Sequence, residues 1–188
     1  VISQDADRLL VVMAGETRTQ GKYLTEPKGK TGLPGDSFAG AASTVTVYAV
    51  DPYYNVDTTK NFPVAAEIPG DLYDVTPSSK NLVNGSTTFI FTPVTAGTHT
   101  IKAQSSSLPA ATSVYYTLNP VTIWWNSPVK LHLLAQGQKL NSGKPPYNAN
   151  PATGGRDTIP AALKAGVTAQ VTVNLTDSYY NIVKGTTP

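Results

Sequence analysis

The chain contains no cysteine, which excludes disulfides, thiolate metal sites and cysteine nucleophiles and leaves the redox compartment open. Charge is sparse as well. Asp, Glu, Lys and Arg make up 14% of the 188 residues, well below the usual quarter, and the net charge is only +2. A balance so close to neutral, with no run of like charges, gives no electrostatic footprint for nucleic acid. No apolar run is long enough for a membrane span, so no membrane insertion is expected. The opening "VISQDADRLLVV" has neither an initiator Met nor the charged and apolar regions of a signal peptide, and reads as a processed product or a piece of something longer. With 40% hydrophobic residues a core can form, and its polar cover falls to Ser, Thr, Asn and Gln, which suits an extracellular β-protein.

What the sequence does have is alternation. In "STVTVYAVD" Val45, Val47 and Ala49 face one way and Thr44, Thr46 and Tyr48 the other; "AQVTVNLTD" repeats this with Val171, Val173 and Leu175. Asn84-Gly85 lies between two β-prone runs and signals a tight hairpin turn. Prolines 63, 69, 77, 93, 109 and 120 leave little room for helices, and the one helix-like stretch, "IPAALKAG" (159–166), is too short to anchor a fold. About seven short strands predict two antiparallel sheets packed face to face, a β-sandwich.

The chain also repeats itself. "RLLVVMAGETRTQGK" from Arg8 aligns with "KLHLLAQGQKLNSGK" from Lys130, and "AGAASTVTVYAVDPYYNV" from Ala39 aligns with "AGVTAQVTVNLTDSYYNI" from Ala165. The two offsets, 122 and 126, differ by four residues within a Gly/Pro-rich loop, where insertions cost least. The second copy holds counterparts of the first copy's opening segments and then stops, so either the chain is a fragment of a tandem array or another chain supplies the missing strands.

These residues resemble bacterial immunoglobulin-like domains of the invasin type, strung in tandem in cell-surface proteins. The resemblance rests on "AGAASTVTVYAVDPYYNV", on "GSTTFIFTPVTAGTHTIKA" (85–103) and on the partial second copy. It implies an immunoglobulin-like antiparallel sandwich over 8–122, a tail or linker at 1–7, an inter-domain joint at 123–129 and a partial repeat at 130–188. It also places Val47 and Ile101 at the core positions that carry the disulfide in antibody-type domains. His99 falls where many sandwiches set a corner Tyr against backbone.

Chemical motifs are weak. "GKTG" (29–32) has Leu24 where a phosphate loop needs Gly, and no helix follows. His99 and His132 stand on separate predicted strands with no nucleophile elbow, so no enzyme and no cofactor is expected. Asp51, Asn55 and Asp57 are close enough to serve as calcium candidates, although Lys184 follows near the position of Asp57 in the second copy. Asp51 and Asn55 also suit a turn leaving a core strand, with one Tyr of each following pair covering the end of the sandwich and the other facing outward. Interaction candidates are therefore Tyr53, Tyr54, Tyr179 and Tyr180, with Trp124 and Trp125 at the joint. The expected role is structural, as a stalk, filament or surface layer whose partners are neighbouring repeats or other copies. The alternative is an adhesin or carbohydrate-binding module whose exposed Tyr or Trp meet glycans.

Overall fold

A computed structural model of the chain describes residues 3–149 and 153–185; the sequence expectations for 1–2, 150–152 and 186–188 lie outside them. Among the described residues there is no helix. The strands are β1 (Arg8–Met13), β2 (Glu16–Arg18), β3 (Lys30–Gly32), β4 (Ser37–Phe38), β5 (Ser43–Val50), β6 (Pro63–Glu67), β7 (Lys80–Asn81) and β8 (Ser86–Phe91). There follow β9 (Gly97–His99), β10 (Lys102–Gln104), β11 (Val114–Tyr116), β12 (Val121–Trp124), β13 (Lys130–Ala135), β14 (Lys139–Leu140), β15 (Arg156–Asp157) and β16 (Val171–Thr176). "IPAALKAG" forms no helix; Ala161 N–H instead donates to Gln136 O at 2.7 Å, tying that stretch to the turn after β13.

Buried residues between Leu9 and Ile123 build the main core. The antiparallel sheet β1-β5-β8 turns Leu9, Val11, Val45, Val47, Phe89 and Phe91 inward. Facing them are Val64 and Ala66 of β6, Ala103 of β10, and Val121 and Ile123 of β12, with Ile101 beside them. Val47 and Ile101 are both buried in this core. The sheets are antiparallel except at one place, where β4 runs parallel to β12. The Asn84-Gly85 turn is present, both residues having positive φ (51° and 73°), but it joins two layers instead of making a hairpin. β7 before it pairs with β6 and β8 after it pairs with β5, so a single bridge, Val83 to Ser86, is all that remains between the two arms.

Strand β1 is buried on both faces, which simple alternation does not predict. Leu10, on the side opposite the main core, forms a second small cluster with Val50 and Tyr54. The continuous run "LLVV" reflects this double burial.

Part of this pairing pattern is found again in β13 and β16. β13 pairs with β16 as β1 pairs with β5: Leu131 lies opposite Leu175 and Leu133 opposite Val173, as Leu9 lies opposite Ala49 and Val11 opposite Val47. The small second cluster recurs too, with buried His132 in the place of Leu10 and buried Tyr180 in the place of Tyr54, their rings 4.9 Å apart. The large core does not recur. Leu131, Leu133, Val171, Val173 and Leu175 are all exposed, whereas Leu9, Val11, Val45, Val47 and Ala49 are sealed.

Candidate functional site

The Asp-x-Tyr-Tyr-Asn blocks are turns of one design. Asp51 Oδ1 accepts from the N–H groups of Tyr53 and Asn55, both at 2.9 Å, and Asp177 Oδ1 accepts from Tyr179 and Asn181 at the same distance. The Asn side chain returns a bond to the Asp carboxylate in each copy, at 3.1 Å from Asn55 and 3.0 Å from Asn181. The carboxylate holds the second tyrosine in the left-handed region, φ 64° at Tyr54 and 65° at Tyr180, an arrangement that non-glycine residues adopt only under constraint. That conformation drives the ring inward over a glycine. A Cβ at Gly29 would stand 2.3 Å from the Tyr54 ring, and one at Gly155 would stand 2.3 Å from that of Tyr180. Tyr54 and Tyr180 are therefore the inward members of their pairs, while Tyr53 is exposed and Tyr179 half-buried.

The second carboxylate oxygen clamps the chain as it enters. Gln4 N–H donates to Asp51 Oδ2 and Asn126 N–H to Asp177 Oδ2, both at 3.0 Å. Burial pushes the Asp51 carboxyl up, but the hydrogen bonds from Asn55, Gln4 and Tyr53 outweigh it and hold the group below the usual range. Asp57 works alongside: Thr59 N–H and Oγ1–H donate to one oxygen and Ala6 N–H to the other. Of the calcium candidates Asp51, Asn55 and Asp57, the two carboxylates are thus directed at N–H and O–H donors, and the Asn55 amide is itself one of the donors to Asp51. No group of three or more His, Cys, Asp or Glu suited to a metal occurs among the described residues.

At the second copy the turn meets the first copy. The Asn181 carboxamide spans the turn between β8 and β9, donating to Val94 O at 2.9 Å and accepting from Ala96 N–H at 2.8 Å. That turn is held ready by Asp71, which accepts from Val94 N–H, Thr95 N–H and Thr95 Oγ1. A ring nitrogen of His99 closes it against Thr95 O at 2.8 Å, the backbone contact expected of a residue at that corner. Tyr179 lies on Gly40, where a Cβ would come within 2.2 Å of its hydroxyl, and Gly143 packs against Thr95. Asn141 Nδ2 donates to Tyr73 OH at 2.6 Å.

Trp124 and Trp125 stand beside these contacts. Their rings meet edge to face, 5.4 Å apart at 82°, and both are half-buried. Trp124 Nε1 donates to Asp36 at 2.9 Å. Together with Ile123, Leu140, Asn181 and Ile182 they line a groove of about 380 Å³ at the joint. The structure therefore brings Trp124, Trp125, Tyr179 and Asn181 together and leaves Tyr53, Tyr54, Asp51, Asn55 and Asp57 at the opposite end of the first copy. Sequence reasoning missed Asp71, Gly40 and the Val94–Ala96 backbone. Gly29, Gly143 and Gly155 were the available signal, since each marks a place where a ring or a neighbouring turn comes close.

No protein-family model matches the chain, and no curated protein matches it. Among solved structures it is similar to a glycosyl hydrolase family 2 member from Bacteroides cellulosilyticus, at 15% identity and a TM-score of 0.45. The likeness covers 64% of this chain and 14% of that one.

Proposed function

We propose that this chain is a non-catalytic structural segment of an extracellular or cell-surface protein, made of immunoglobulin-like β-sandwich modules in tandem and serving as a stalk, filament or surface layer. The observation that carries this reading is the joint: Asn181 bound to Val94 and Ala96, with Asn126 clamped by Asp177, ties one copy to the next through hydrogen bonds between side chains and backbone. Such a joint makes the array stiff, as a stalk requires. The same reading gives the open face of β13–β16 to strands equivalent to β8 and to the β6-β10 layer, supplied by further chain or by another copy through strand complementation. The resemblance to invasin-type repeats and the low charge agree with an exterior location, and no helix among the described residues is long and apolar enough to cross a membrane.

A second reading, an adhesin or glycan-binding module, draws on the Trp-lined groove. Replacing Trp124 and Trp125 together by Ala separates the two. The structural reading expects no glycan retention by the parent chain and greater freedom between the copies in the variant. Glycan retention by the parent that disappears in the variant, with stiffness unchanged, would instead establish the adhesin.

A further inference from the structure

The end of the first copy carries the same surface that the second copy uses at the joint, and there no described residue covers it. Asn55 stands in the place of Asn181, Tyr53 of Tyr179 and Gly21 of Gly143, while Tyr23 takes the role of Tyr147. The correspondence extends to geometry. Tyr23 meets Tyr53 edge to face at 4.9 Å and 87°, and Tyr147 meets Tyr179 at 4.9 Å and 76°. Each member in the first copy is more open than its counterpart. Among the described residues Gly21 has no atom within 4 Å of a Cβ position, whereas Gly143 abuts Thr95; Tyr53 is exposed and Asn55 half-buried, whereas Asn181 is sealed. Between them lies a groove of about 630 Å³ lined by Gln4, Gly21, Tyr23, Asp51, Tyr53 and Asn55.

We propose that this groove is the docking site for the Pro93–Gly97-type turn of another module of the same kind, joined ahead of Gln4. The proposal rests on the tandem reading above and adds the surface, the partner and the contacts. Three observations select this occupant. The equivalent surface, formed by Gly143, Tyr147, Tyr179 and Asn181, is occupied in this molecule by such a turn. The chain enters both copies at one point, through Gln4 on Asp51 and Asn126 on Asp177, so a module ahead of Gln4 is delivered to the same position. The groove is polar at Asn55 and flat at the two tyrosines, matching a turn that offers Val94 O and Ala96 N–H beside the bare backbone of Gly40. Asn55 then donates to the carbonyl and accepts from the N–H, and Tyr53 lies on the glycine. Thr19 stands where Asn141 does, so the bond from Asn141 to Tyr73 is not reproduced.

The test joins a copy of residues 1–125 to residues 4–188, so that Gln4 follows a Trp125 as Asn126 does; the Asn55 that is read and substituted is the one in the 4–188 part. Hydrogen exchange of the Asn55 side-chain amide is read by NMR, with Asn181 in the same molecule as reference, and residual dipolar couplings report whether adjoining modules tumble together. The expected result is that Asn55 exchange slows by roughly tenfold, to the rate of Asn181, and that the added copy aligns with the first module. Asn55→Ala then frees the added copy and leaves the Asn181 joint rigid. Because that change also touches the Asp51 turn, the exchange measurement on the unsubstituted chain decides independently. If Asn55 exchange is unchanged and the added copy reorients while the Asn181 joint stays rigid, the docking site is refuted and the tandem reading stands. If the Asn181 joint is also loose, both are refuted.

Discussion

Tyr54 and Tyr180 are held where glycine would be easier, and the reason lies in what surrounds them. A left-handed backbone costs a bulky residue about 1–3 kcal/mol. The Asp carboxylate offsets that cost with charge-assisted bonds from two backbone N–H groups, and the ring fills the space over Gly29 or Gly155. Asp57 shows the same economy in its response to acid. Burial pushes its carboxyl up, but Thr59, Ala6 and Lys60 outweigh burial and set it at about 2 against an ordinary 3.8. The unfolded chain therefore takes up this proton first, so the contribution, about 2 kcal/mol, is complete above roughly pH 4 and is lost as pH falls towards 2. Chemical denaturation from pH 5 to pH 2 is expected to show that loss in the parent chain and to show it greatly reduced in Asp57→Asn. A second residue-scale prediction concerns the sealed pair Lys30 and Glu16, 2.8 Å apart, with Lys30 also donating to Val11 O. Desolvation lowers the Lys30 pKa and Glu16 raises it in part. Glu16→Gln leaves a buried cation without its partner and is expected to cost about 3–5 kcal/mol in urea denaturation, most of it recovered when Lys30→Met is added.

At the scale of elements, one strand pattern has two fates. Val47 and Val173 occupy equivalent places on β5 and β16, yet one is sealed and the other 57% exposed. Val47→Lys is expected to cost more than about 4 kcal/mol and unfold the first copy, while Val173→Lys stays within about 0.5 kcal/mol and reduces self-association measured by sedimentation. Equal effects at the two sites would contradict the open face. Much at this scale was legible in the sequence: the alternation of 43–50 and 171–176, the Asp-to-Asn turn and the paired offsets of 122 and 126 are local patterns, whereas the core placement of Val47 and Ile101 came from the resemblance. The rest depends on contacts between distant segments. Nothing near Leu10 announces that Tyr54 will cover it, so the double burial of β1 stayed hidden. The Asn84-Gly85 dipeptide fixes a reversal but does not decide whether its arms share a sheet. The hold of Asn181 on Val94 and Ala96 spans more than eighty residues and leaves no periodic trace.

For the whole molecule the proposed structural role turns on the joint. Two bonds from one carboxamide, a tyrosine lying on a glycine, a clamp on the linker and a tryptophan pair edge to face all act across a few residues. Removing the carboxamide with Asn181→Ala leaves Val94 O and Ala96 N–H to water and is expected to cost the joint about 1–3 kcal/mol. The absence of native cysteine makes the direct measurement simple. Spin labels on cysteines introduced at exposed Ser106 and Thr172 report the distance between the copies by double electron–electron resonance. A rigid joint gives a single narrow distance distribution for the parent chain and a broad one for Asn181→Ala. A broad distribution in the parent, or one that Asn181→Ala leaves unchanged, would contradict it.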